Sequence, residues 1–192
     1  MCGRIRHATI ADALEVAAII DIAGHGIDLE LWMQSRDSDH SVLAAARRVV
    51  LEDPTWVYHY SRAHVLEMDG RIAGGLIGGL VDGEATLEEP LPPHLEPLVA
   101  LENRVPGYWN LLALAVHAEF RGKGLASRLL GHAAHLASQS GARGLSIVVE
   151  DTNTTAIALY RKKGFEEVES QPWVAYGERT GPRRWLMLAK SV

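Results

Sequence analysis

The segment FRGKGLAS, residues 120–127, combines residue types and a spacing that suit the binding of an anion. Gly122 and Gly124 allow the backbone to approach a ligand closely. A helix predicted to begin near residue 124 would add unpaired N–H groups at the positive end of its dipole, and Arg121 and Lys123 add positive charge. The segment therefore predicts a phosphate or pyrophosphate site, although an ordinary strand-to-helix turn would also use glycines for its geometry.

Two well-known phosphate-binding loops fit this segment poorly. A Walker A loop needs a glycine followed by Lys-Ser or Lys-Thr, and the chain has no such triplet. A dinucleotide-binding fingerprint needs glycine or alanine at its last position, where this chain has Ser127. Both alternatives are therefore weak.

Composition limits the classes of protein to which the chain can belong. It has 192 residues, of which 47% are hydrophobic and 22% are charged, and this is close to the average for globular proteins. The formal net charge of -5 argues against a nucleic-acid binder. Cys2 is the single cysteine, so no internal disulfide forms. We find no apolar signal-peptide core and no apolar run of about 18 residues. We therefore expect one cytoplasmic domain over residues 1–192.

The elements of the N-terminal half are predicted from apolar periodicity and turn residues. Thr9 or Asp12 caps a helix with an apolar face of Leu14, Ala17, Ala18 and Ile22, and Gly24 and Gly26 end it. Asp69-Gly70 is a hairpin turn. The other predicted elements are a strand over 4–8, an irregular or helical segment over 27–36, a helix over 39–51 that begins near Asp39 or Ser41, and strands within 56–68 and over 71–81.

The C-terminal half has a clearer pattern, which follows an acidic, proline-rich insert over 82–107 with one short helix near 94–103. Two apolar runs, 108–116 and 145–149, flank a helix predicted over 124–140. A strand, a crossover helix and a second strand predict a parallel pair that is buried on both faces. A helix over 153–163 and strands over 165–170 and 185–189 complete the prediction.

Two longer motifs resemble the GCN5-related N-acetyltransferase (GNAT) family. Residues 112–130, LALAVHAEFRGKGLASRLL, carry the RxxGxA/G element of the family as Arg121, Gly124 and Ala126. Residues 153–165, NTTAIALYRKKGF, are similar to its NxxAxxLYxxxGF element. The two motifs have the expected order and separation. The resemblance is strong over 108–170 and weaker over most of the remaining chain.

The resemblance implies a fold, a cosubstrate and a set of site residues. The fold is α/β (α+β), a mixed and strongly twisted sheet of about six or seven strands flanked by helices, with acetyl-CoA between two splayed central parallel strands. Main-chain groups of Leu114, Ala115 and Val116 would bind the pantetheine arm and the acetyl carbonyl. The pyrophosphate would bind the main-chain N–H groups of Gly122, Lys123, Gly124, Leu125, Ala126 and Ser127, with Arg121 just before them.

The second motif would supply Asn153 for the pantetheine and Tyr160 near the thioester sulfur. These residues are seven positions apart, about two helical turns, so they share one face of the predicted helix. A tyrosine with a pKa of about 10 is a suitable acid for a thiolate of similar basicity. The alternative is that Tyr160 is a core aromatic residue.

The implied reaction is direct transfer of the acetyl group from acetyl-CoA, without a metal, to a primary amine of a small molecule or a protein. A backbone N–H near Ala115 or Val116 would stabilise the oxyanion, and Cys2 would not participate. An acyl-CoA sensor with little turnover is the alternative. We expect neither nucleic acid nor membrane as a partner, and edge-strand homodimers are common among similar proteins.

The general base is left open. Arylalkylamine acetyltransferases, which share a similar LAVH segment, have histidines at the positions of Asn110 and Leu112, but here the strand carries no titratable base. A water chain, Glu102 or another carboxylate of the insert, and His117 are the alternatives. His132 and His135 could share a helix face, but a metal site would need a third ligand, so we expect solvated histidines.

Overall fold

The computed structural model describes residues 3–34, 41–81, 92–175, 181 and 183–192. The strands in these ranges are β1 Arg4–His7, β2 Ala63–Met68, β3 Arg71–Leu80, β4 Trp109–Val116, β5 Gly144–Glu150, β6 Glu166–Pro172 and β7 Arg184–Ser191. The α-helices are α1 Ala13–Ala23, α2 Ile27–Gln34, α3 Val42–Glu52, α4 Glu96–Glu102, α5 Leu125–Gln139 and α6 Thr154–Lys162.

The strands form a mixed, seven-stranded sheet in the order β1-β2-β3-β4-β5-β7-β6. The β1–β2, β2–β3, β5–β7 and β6–β7 pairs are antiparallel. The β4–β5 pair is parallel, as predicted, and its register joins Trp109 to Leu145 and Asn110 to Ser146. The structure confirms the predicted class, a mixed α/β fold with helices flanking the sheet.

Two compact units make up the chain, and the first comprises the residues up to Gly78 together with Leu112–Ala133. Its core includes the fully buried Val16, Val50, Val65 and Ile77. The Asp69-Gly70 turn has positive φ at both residues, 50° and 74°, which is the geometry of a type I′ hairpin. This confirms the predicted turn.

Helix α1 confirms its predicted position and part of its predicted apolar face. Thr9 and Asp12 form a capping box just before it. Leu14, which we expected to be buried, is 46% exposed. Ala17 of the predicted face is buried, and the other buried positions are Ala13, Val16, Ile19 and Ile20. The helix is apolar around most of its circumference, so the spacing of its apolar residues is compatible with more than one buried face. Packing against α3 selects the face that carries the small Ala13 and Ala17.

The second unit comprises Gly79–Leu111 and Ala134–Val192. Helix α4, predicted within the insert, packs against β5, β6 and β7 through the fully buried Leu101. Residues 82–91, which include most of the acidic positions of the insert, lie outside the described residues, as do Cys2 and Asp39. No helix in the described part of the chain is long and apolar enough to span a membrane.

Candidate functional site

The 121–127 loop connects β4 to α5. A short helical turn over Ala118–Phe120 leads from the end of β4 into the loop. Gly122 and Gly124 both have φ of +75°, a left-handed conformation that is costly for other residues. A Cβ added at either glycine would meet no atom within 4 Å. The chain therefore turns sharply here and leaves open space beside both glycines.

The main-chain N–H groups of this loop are free to bind a ligand. Within the described residues, none of the N–H groups of residues 122–127 donates to a backbone carbonyl. The first to do so is that of Arg128, which donates to Gly124 O at 3.2 Å. Six consecutive donors next to the first turn of α5 suit the oxygens of a phosphate group.

Arg121 and Lys123 are exposed and place positive charge at this loop. The Nε of Arg121 donates to Val116 O at 3.1 Å, so the same side chain also ties the loop to the end of β4. The amino group of Lys123 lies 5.2 Å from the centre of the buried Phe120 ring. Sequence reasoning assigned charge to Arg121 but missed its structural hydrogen bond.

Leu114, Ala115 and Val116 form the end of β4, beyond the two residues that pair with β5. β3 is the other neighbour of β4 in the sheet, and the N–H of His117, just after β4, donates to Ala73 O of β3 at 3.0 Å. A Cβ added at Gly74 would stand 2.9 Å from the Cα of Val116 and nearer still to Ala115 O. The absence of a side chain at Gly74 therefore lets β3 and β4 pack closely here.

Asn153 caps helix α6. Its side-chain oxygen accepts a hydrogen bond from the N–H of Ala156 at 3.2 Å. The same helix carries Tyr160, which is 5% exposed and has its ring 5.6 Å from that of Phe165. Burial raises the pKa of Tyr160 above its usual value, so the hydroxyl is protonated at neutral pH and available as a hydrogen-bond donor.

The two side chains considered as bases differ in their surroundings. The Nε2 of His117 lies 3.2 Å from Oε2 of Glu15 on α1. Glu102, at the end of α4, is partly exposed but closely enclosed, and burial raises its pKa to about 7, an effect that the hydrogen bonding of Asn110 opposes. Asn110 is itself buried and accepts a hydrogen bond from Ser146 Oγ at 3.3 Å.

The expected solvated histidines are confirmed at only one of two positions. His135 is exposed, but His132 is partly buried, and its Nε2 lies 3.0 Å from Nδ1 of His64 on β2. The expectation for His132 was wrong because its neighbour is 68 residues away in sequence. No group of three or more His, Cys, Asp or Glu residues is placed to hold a metal ion within the ranges described.

The expected site residues therefore lie in two sets. The first unit brings together Leu114, Ala115, Val116, Arg121, Gly122, Lys123, Gly124, Leu125, Ala126 and Ser127. The second unit holds Asn153 at the cap of α6 and Tyr160 within it, and Glu102 and Asn110 on α4 and β4. The first set offers backbone donors for an anion, and the second offers a protonated phenol and a carboxyl group that titrates near neutrality.

Residues 29–165 match the sequence profile described as the Acetyltransferase (GNAT) family. An uncharacterized protein of Mycobacterium leprae is 33% identical over 90 residues, which are 47% of this chain and 24% of that protein. This chain thus matches only about a quarter of the length of that relative.

Two solved structures cover nearly the whole chain. A crystal structure of an acetyltransferase is 26% identical to this chain, with a TM-score of 0.71. The match covers 98% of this chain and 99% of the chain in that structure. The Salmonella typhimurium protein yncA, solved with its cofactor acetyl-CoA, is 19% identical with a TM-score of 0.61, and the match covers 100% of this chain and 94% of that one. The second likeness shows the fold alone.

Proposed function

The chain belongs to the GNAT acetyltransferase family, and we propose that it is an N-acetyltransferase that transfers the acetyl group of acetyl-CoA directly to a primary amine of a small molecule or a protein. Membership of the family supports acetyl transfer. The presence of acetyl-CoA in the yncA structure, which has the same fold, supports the donor. The acceptor class follows from the family resemblance of the two sequence motifs.

One observation carries the proposal, namely the run of unpaired N–H groups over residues 122–127. The two left-handed glycines keep side chains away from these donors, and Arg121 and Lys123 bring positive charge to them. Such a loop fits the diphosphate of a coenzyme A ester, which carries two negative charges and several acceptor oxygens. An ordinary strand-to-helix turn would need neither the exposed cations nor so long a run of free donors.

The remaining residues have roles that match their surroundings. The thioester supplies an activated acetyl carbonyl. The N–H of Ala115 or Val116 donates to the oxyanion that develops on that carbonyl. Asn153 contacts the pantetheine arm, and Tyr160 donates its hydroxyl proton toward the sulfur as the thiol leaves. Burial raises the pKa of Tyr160, so the hydroxyl stays protonated throughout the neutral range and is a weaker acid than that of an exposed tyrosine.

Calorimetric titration with acetyl-CoA tests the donor, and S-acetylpantetheine, which lacks the diphosphate together with the 3′-phosphoadenosine beyond it, is the comparison compound. Hydrogen bonds to charged groups contribute about 1.5–3 kcal/mol each, so loss of two of them predicts binding weaker by roughly 100-fold or more. Equal affinity for both compounds would remove the 121–127 loop from the site. A thiol-release assay with a panel of amines then tests the transfer.

An acyl-CoA sensor with little turnover is the second candidate. The observation in its favour is that β4, WNLLALAV, carries no titratable side chain to act as a base. Tight binding of acetyl-CoA without thiol release for any amine in the panel would support the sensor. Absence of binding would contradict both candidates.

A further inference from the structure

Both main-chain groups of Val116, the last residue of β4, point away from β3. A Cβ added at Gly74 would stand 3.2 Å from the carbonyl carbon of Ala115 and nearer to its oxygen, so this carbonyl points toward β3. The N–H of His117 also points toward β3, because it donates to Ala73 O at 3.0 Å. Since the N–H and C=O of a planar trans peptide point in opposite directions, the N–H and the C=O of Val116 both face the other way.

The Val116 carbonyl accepts a hydrogen bond from Nε of Arg121 at 3.1 Å. The peptide group that joins Val116 to His117 is therefore held on both sides, by Arg121 at its C=O and by β3 at its N–H. The His117 side chain adds a third contact, since its Nε2 lies 3.2 Å from Oε2 of Glu15. These contacts fix the direction of the Val116 N–H, which lies beyond the residues of β4 that pair with β5.

The rest of the Arg121 guanidinium is available to an anion. Within the part of the chain that the structure describes, Nη1 and Nη2 of Arg121 have no partner, and the residue is exposed. The guanidinium is planar, so the bond from Nε to the Val116 carbonyl also fixes the plane of the two free nitrogens. Arg121 immediately precedes the free N–H groups of residues 122–127. Two fixed donors of this kind match two oxygens of a phosphate group.

We propose that Arg121 is a positioning residue that couples the diphosphate of acetyl-CoA to the Val116 N–H, the donor to the oxyanion. This role rests on the proposed acetyltransferase function and adds to it a link between the two ends of the coenzyme. Nη1 and Nη2 bind the diphosphate while Nε holds the Val116 carbonyl, so the bound nucleotide fixes the peptide most firmly. Binding energy from a remote part of the donor is thereby used to orient a group that stabilises the transition state.

Arg121→Lys tests the coupling, because lysine keeps the charge but cannot hold a carbonyl and a phosphate from one rigid plane. Arg62→Lys is the matched control, since Arg62 is an exposed arginine of the first unit to which we assign no role. With an amine that the wild type acetylates, we would compare kcat for acetyl-CoA and for S-acetylpantetheine, which lacks the nucleotide. In the wild type and in Arg62→Lys, kcat should be about 10–100-fold higher with acetyl-CoA.

In Arg121→Lys the two donors should give similar kcat values. Comparing the donor ratio between the proteins cancels the contribution of the adenosine, which is missing from S-acetylpantetheine in every case. Equal kcat values for the two donors in the wild type, or a ratio that persists in Arg121→Lys, would overturn the coupling and leave the acetyltransferase function intact.

A second readout needs no turnover. Val116–His117 is the only Val-His pair in the sequence, so carbon-13 carbonyl labels on valine and nitrogen-15 labels on histidine select the single peptide group that Arg121 holds. The probe is adenosine 3′-phosphate 5′-diphosphate, which carries the diphosphate without the thioester. Its binding should shift this resonance in the wild type and in Arg62→Lys.

The probe should hardly shift the resonance in Arg121→Lys, although calorimetry should still detect binding that is weaker by about tenfold, the loss of one charged hydrogen bond. An equal shift in Arg121→Lys would overturn the coupling. A wild type that binds neither the probe nor acetyl-CoA would instead contradict the proposed function, and the coupling with it.

Discussion

Gly74 of β3 lies directly against Val116 of β4, since a Cβ added at Gly74 would stand 2.9 Å from the Val116 Cα. The carbonyl oxygen of Ala115 would be nearer still. Both neighbours are main-chain atoms, which cannot rotate away as the end of a flexible side chain can. The absence of a side chain at Gly74 therefore decides how closely β3 approaches the part of β4 that we assign to the acetyl group.

We expect Gly74→Ala to lower the free energy of unfolding by about 1–3 kcal/mol, the usual effect of forcing an extra carbon into a packed interior. Because the strain falls on Ala115 and Val116, the affinity for acetyl-CoA should fall as well. Gly131→Ala is the control: a Cβ there meets nothing within 4 Å, and alanine in a helix interior should stabilise the protein by about 0.5–1 kcal/mol. Urea unfolding and calorimetry measure both effects, and a Gly74→Ala protein with normal stability and binding would contradict the assignment.

Gly124→Ala tests the 121–127 loop. The substitution places a methyl group in the open space beside the free N–H groups and adds about 1–2 kcal/mol of left-handed strain. We expect the affinity for acetyl-CoA to fall by more than about tenfold, as measured by calorimetry, because the methyl group occupies the space that we assign to the diphosphate.

The matched control for that change is Gly141→Ala. Gly141 has φ of +72° and an equally open surrounding, so it carries the same backbone strain at a turn to which we assign no ligand. It should lose similar stability and keep its affinity. Equal affinities in the two variants would show that the loop does not bind the coenzyme.

Tyr160→Phe tests the proton donor. We expect kcat to fall by roughly 10²-fold, while acetyl-CoA affinity stays close to that of the wild type, because the ring packing against Phe165 is retained. The raised pKa of Tyr160 means that ionisation of this residue causes no alkaline loss of activity below about pH 10. Tyr60→Phe is the control, because Tyr60 is a tyrosine of the first unit to which we assign no role in the reaction. An unchanged kcat across the pH range would remove Tyr160 from the acid role.

Sequence reasoning succeeded where the information was local. Strands β4 and β5 and helices α5 and α6 were predicted because an unbroken apolar run or a regular apolar stripe marks each of them. The turn between β4 and α5 was predicted from Gly122 and Gly124, and the structure adds that both glycines are left-handed. These features depend on residues within a few positions of one another, so the sequence pattern was sufficient.

Contacts between distant segments could not be predicted in the same way. The buried face of α1 depends on its packing against α3, and the His64–His132 contact joins a strand to a helix. In each case a tertiary contact decides which of several equivalent residues acquires an unusual environment.

The contact between His64 and His132 predicts acid sensitivity. Burial, followed by the neighbouring His7 and His132, lowers the pKa of His64 to about 4, whereas an unfolded histidine titrates at about 6.5. Between these values the unfolded chain binds more protons than the folded chain, so the free energy of unfolding falls as the pH drops through this window. The contribution of His64 to this loss is up to about 3 kcal/mol.

His64→Gln should remove most of this pH dependence, since glutamine does not titrate and offers comparable hydrogen-bonding atoms to His132. His135→Gln is the control, because His135 is an exposed histidine on the same helix as His132, and its loss should leave the dependence in place. Urea unfolding between about pH 7 and pH 5 gives the free energy of unfolding for each protein. If His64→Gln loses stability on acidification as steeply as the wild type, His64 is not the group that titrates, because no other change separates the two proteins.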